Sequence, residues 1–127
     1  MSIYMQTKKL LLAMGLIVVV ASLSLFPRAA LAHAVLLKST PAANSTVAGP
    51  DVAMTFKFNS RVDATRSQIS IADASGQSKV LEIDKQQAPD TVTTHASKLA
   101  PGKYAIRWQV LSVDGHITRG QIPFEVK

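Results

Sequence analysis

After residue 32 the chain shows no convincing helical period and meets a turn signal every few residues. Alternating apolar and polar residues mark half-buried strands, and short strands with frequent turns mark an all-β sandwich or barrel. Residues 34–38 form a first short run, followed by loop material in Ser39-Thr40-Pro41-Ala42-Ala43-Asn44-Ser45. Residues 52–58 alternate, which puts Val52, Met54, Phe56 and Phe58 on one face. Residues 68–73 alternate too and turn at Ser75-Gly76, while residues 80–83 and 90–95 are weaker candidates. Pro101-Gly102 precedes the strongest run, residues 103–113, where Tyr104, Ile106, Trp108 and Val110 share a face. Residues 117–126 make the last strand. The expectation is about seven short strands in two packed antiparallel sheets, because a half-buried sheet needs a second layer to cover it. With no cysteine in the chain, the disulfide of true immunoglobulin domains is excluded, and only the architecture is expected to match.

The first 32 residues read as a secretory signal. Lys8 and Lys9 give the charged start, residues 10–26 are apolar without a charge, and Ala30-Leu31-Ala32 offers small residues for cleavage. An uncleaved anchor is the alternative, since 17 apolar residues stand at the short limit of a membrane span. Cleavage after Ala32 leaves one domain, residues 33–127, in an oxidising export compartment, and fixes the useful bulk numbers. Three of the 14 basic residues leave with the signal and no acidic residue does. Eleven then stand against eight, a net charge of +3. The remaining cations are scattered, so nucleic acid is excluded as a partner.

Cleavage there would also make His33 the N-terminal residue. A free α-amine beside its own imidazole can close a six-membered chelate ring on a metal ion, which an internal histidine cannot do. Asp114-Gly115-His116 lies near the other end of the chain. Taken alone, Asp-Gly between two strands is a hairpin turn. Taken with His33, it completes a ligand set of amine, two imidazoles and a carboxylate. Cu(II) favours such nitrogen and oxygen donors in a tetragonal arrangement, although zinc can use the same donors. The amine has a reference pKa near 8, so binding must displace a proton and affinity should fall in acid. His95, in the Thr-rich run 91–95, reads as an exposed strand histidine, and Met54 reads as core. Without cysteine, thiolate sites and thiol catalysis are excluded. No nucleophile elbow, phosphate loop or zincin motif is present, so the chain reads as a binding protein and not an enzyme.

These residues resemble the CopC/PcoC family of periplasmic copper-resistance proteins. The matching stretches are His33-Ala34-Val35-Leu36, Ser39-Thr40-Pro41-Ala42, Thr55-Phe56-Lys57-Phe58 and the block from Tyr104 to His116 ending in Ser-x-Asp-Gly-His. Gly120 and Pro123-Phe124-Glu125-Val126 also fit. The resemblance implies a Greek-key β-sandwich in the periplasm that holds one Cu(II) per mature chain on His33, Asp114 and His116. It implies copper sequestration, or delivery to a CopD-type inner-membrane protein. Two departures stand out: Ser60 falls where many members carry a Glu, and no methionine-rich segment is present. Together they imply a protein for Cu(II) alone. Two other readings of the same residues stay open: a copper-dependent oxidative enzyme built on a histidine brace, and a sandwich that binds protein without metal.

Overall fold

The computed structural model describes residues 3–12, 14 and 33–127. The first group is helical, and no helix of the described residues is long and apolar enough to cross a membrane. The expected cleavage site lies outside the described residues, as does most of the apolar run.

Ala32–Lys127 forms one compact unit. Its strands are β1 (Leu36–Thr40), β2 (Ser45–Val47), β3 (Val52–Phe58), β4 (Val62–Asp73), β5 (Ser78–Leu81), β6 (Thr91–Ala96), β7 (Gly102–Ser112) and β8 (Ile117–Val126). They form a three-stranded sheet in the order β1-β3-β6 and a five-stranded sheet in the order β2-β8-β7-β4-β5. The chain passes repeatedly from one sheet to the other, as in a Greek-key sandwich. All pairings are antiparallel except that of β2 with β8.

The alternation read from the sequence is what closes the sandwich. Val52, Met54, Phe56 and Phe58 of β3 are buried, and so are Ile106, Trp108 and Val110 of β7, with Tyr104 partly buried. The two faces meet where the rings of Phe58 and Trp108 pack edge to face, 5.4 Å between centroids. Such a pairing adds to plain area burial because the ring edge is positive and the ring face negative. Gly120 stands opposite Trp108 in the β7–β8 ladder, and a Cβ there would overlap the indole. The glycine is the space into which the tryptophan leans.

There are eight strands against the seven expected. The additional strand is β2, three residues that begin at Ser45, the last residue of the stretch read as loop. It pairs in parallel with Phe124, Glu125 and Val126, far along the chain. So short a strand has no periodicity of its own, and its existence depends on its neighbour. The first half of β4 also goes beyond the sequence reading. A register shift between Asp63 and Gln68 breaks the alternation there. Asp63 organises the irregularity: its carboxylate accepts bonds from the amide and hydroxyl of Thr65, and its carbonyl accepts one from Ser67. The Thr65 hydroxyl first of all, then the amides of Thr65 and Arg66, hold the carboxyl of Asp63 below the usual carboxylate range.

Candidate metal centre

β7 and β8 are consecutive antiparallel strands, and the tight turn between them carries Asp114, Gly115 and His116. Gly115 has φ of 83°, the left-handed region that glycine enters without cost. The turn closes through Gly115 N–H donating to Ser112 O (3.0 Å) and Ser112 N–H donating to His116 O (2.9 Å). Asp114 is fixed from within the same turn. Its Oδ1 accepts from the Ser112 hydroxyl and from the His116 amide at 3.0 Å. These bonds stabilise the charged form, and the carboxyl is held well below the ordinary carboxylate range, chiefly by Ser112 and next by the His116 amide. With Oδ1 so engaged, Oδ2 faces the imidazoles. It lies 2.9 Å from His116 Nδ1 and 3.9 Å from His33 Nδ1.

His33 reaches this turn along an arm held by two elements. Asn59, just after β3, takes both peptide groups of Val35: its Oδ1 accepts from Val35 N–H at 2.8 Å and its own N–H donates to Val35 O at 2.9 Å. On the other side, the Thr118 hydroxyl in β8 donates to Ala34 O at 3.1 Å. Ala34 itself is buried, 2% exposed, which plugs the arm into the sandwich. The His33 and His116 rings stand edge to face with centroids 4.7 Å apart. His33, Asp114 and His116 each offer a ligand atom, all within 4.8 Å of one another. The side chains are 44%, 23% and 64% exposed, so the cluster is open to solvent.

His33 and Asp114, 81 positions apart in sequence, therefore stand together. His95 stays outside the cluster: it is exposed on β6, with Nδ1 3.6 Å from Asp84 Oδ1. Met54 is core at 1% exposure. Ser60 Oγ is buried without a hydrogen-bond partner among the described residues. Sequence reasoning missed Asn59 and Thr118, whose contribution is through peptide groups and leaves no motif. Ser112 lies inside the Ser-x-Asp-Gly-His block, and its hydroxyl's bond to Asp114 is not evident from the motif.

Comparisons with known proteins agree with this architecture. The family model of the CopC domain matches residues 36–127. Protein YobA of Escherichia coli K12 is 35% identical over 99 residues, covering 76% of this chain and 80% of that protein. Copper resistance protein C of Xanthomonas campestris pv. juglandis is 27% identical over 117 residues, 87% of this chain and 92% of that protein. Among solved structures, CopC from Methylosinus trichosporium OB3b superposes with a TM-score of 0.70 at 34% identity, covering 75% of this chain and 94% of that one.

Proposed function

Because this chain belongs to the CopC domain family, we propose that its exported form, beginning at His33, binds one Cu(II) ion through His33, Asp114 and His116. The observation that carries the reading is the convergence of those three side chains from opposite ends of the chain. The name of the Xanthomonas relative, a copper resistance protein, points to the same metal. Copper here is cargo. His33 would supply its amine and an imidazole nitrogen, His116 a second imidazole, and Asp114 the anionic oxygen. This donor set suits the tetragonal preference of Cu(II) and its place at the top of the divalent affinity order.

The task we assign is to buffer periplasmic copper or to deliver it to an inner-membrane partner of the CopD type, without catalysis. An open site supports that assignment, because a metal held by half-exposed ligands can be reached by an acceptor. The turn also arrives prepared. Ser112 and the His116 amide keep Asp114 ionised and aimed, so metal binding need not pay to order it.

The test is intact mass and a Cu(II) titration on protein exported from its own signal, followed by electron paramagnetic resonance. A chain starting at His33 that takes one tetragonal Cu(II), with a nitrogen coupling lost in His116→Ala, is the expected result. A chain starting elsewhere, or one without stoichiometric copper, overturns the proposal.

A further inference from the structure

The outer face of the five-stranded sheet carries a second arrangement, independent of the metal cluster. Two register rows cross β4, β7 and β8 there. One is Ser70–Arg107–Gln121 and the next is Gln68–Gln109–Arg119. The six residues line a concavity of about 420 Å³. Arg107 and Arg119 occupy diagonal corners on neighbouring strands, both exposed. Diagonal neighbours across a sheet are close enough for long side chains to interact, and like charges placed so repel. Among the described residues neither arginine forms an ion pair.

The acids nearest in register are already engaged or stand further off. Asp63, opposite Leu111, is taken by Thr65 and by Arg66 at 3.6 Å, and Glu125 stands opposite Lys103. Arg119 is also held in place, its Nε donating to Gln109 Oε1 at 2.8 Å. Its remaining donors are free for another acceptor. One row toward the turn lie Leu111 and Ile117, with exposed Val113 beyond them.

We infer that this face docks an acidic, partly apolar segment of a partner protein, with glutamate or aspartate side chains on Arg107 and Arg119 and apolar side chains against Ile117 and Val113. Charge complementarity selects the acid. Two cations are too few for the phosphate-neutralising footprint of a nucleic acid or for attachment to an anionic membrane. The concavity is too broad for a single small anion. Its glutamine amides both donate and accept, as the peptide groups of an extended segment require.

The experiment is an amide chemical-shift titration of the exported protein with a short peptide of alternating glutamate and leucine. Expected are shifts centred on Gln68, Arg107 and Arg119, binding weakened by added salt, and about tenfold weaker binding in the double variant Arg107→Gln/Arg119→Gln. Lys38→Gln/Lys57→Gln, on the other sheet, should bind as the parent does. The salt series and a peptide with glutamine in place of glutamate need no variant and keep the test valid should the double variant misfold. Equal binding of the glutamine peptide, shifts centred elsewhere, or indifference to the arginine substitutions would overturn the inference. So would inorganic phosphate that reproduces the shifts and displaces the peptide, since that marks a site for small anions.

Discussion

Asp114 shows how a short turn sets the chemistry of one side chain. Its carboxylate collects a hydroxyl and an amide donor on one oxygen and turns the other toward two imidazoles. A folded-state pKa below the ordinary value means that the unfolded chain takes up the proton first. The stability this gives is full above the ordinary carboxylate pKa of about 3.9 and is lost as pH falls toward the folded value. Asp114→Asn should therefore flatten the acid limb of the stability profile below about pH 4, measured by urea unfolding across pH without metal. A variant that tracks the parent through that range would show the turn hydrogen bonds to be idle. Ser112 is the complementary test. It is 3% exposed, and Ser112→Ala removes the main donor to Asp114. We expect a loss of about 1 kcal/mol in stability, with weaker copper binding in the same variant.

Between the strands, hydrogen bonds to peptide groups place the candidate ligands. β3 ends at Phe58, and the very next residue grips the arm that carries His33. Asn59→Ala should leave the fold intact by circular dichroism and weaken Cu(II) binding by roughly five- to tenfold, the value of one net hydrogen bond to an ordered segment. The β7–β8 ladder makes a second demand, at Gly120. Adding a methyl group there drives into the Trp108 indole, and overpacking of this kind costs about 1–3 kcal/mol. Gly120→Ala is thus expected to lower the unfolding free energy and alter tryptophan fluorescence. Unchanged fluorescence and stability would mean that the indole has room to move.

The unit Ala32–Lys127 is a sandwich without disulfides, stabilised by its core. In the proposed site, Cu(II) would join the arm that carries His33 to the β7–β8 turn. A ligand that binds only the folded state stabilises it by RT ln(1 + [L]/Kd), about 2.7 kcal/mol at a hundredfold excess over Kd. Calorimetry should therefore show a higher Tm with Cu(II) for protein that begins at His33. One added residue before His33 consumes the amine in a peptide bond, so most of that increase should disappear while the Tm without copper stays the same. Equal increases for both forms would remove the amine from the ligand set.

The faces of β3 and β7, the chain's all-β character and the Asp-Gly turn were legible in the sequence. A period of two and a turn residue with positive φ are local properties, written in adjacent positions. His33, Asp114 and His116 could be picked out in the sequence as candidates, because amine, imidazole and carboxylate have fixed donor chemistry wherever they stand. Their meeting within 4.8 Å was decided only by the tertiary structure. So were strand β2, the Asn59 and Thr118 grips on the arm, and the two arginines at diagonal corners of one face. Each joins groups far apart in the chain through register or a peptide hydrogen bond. Such contacts exist only once the sheets have closed, and no spacing along the sequence encodes them.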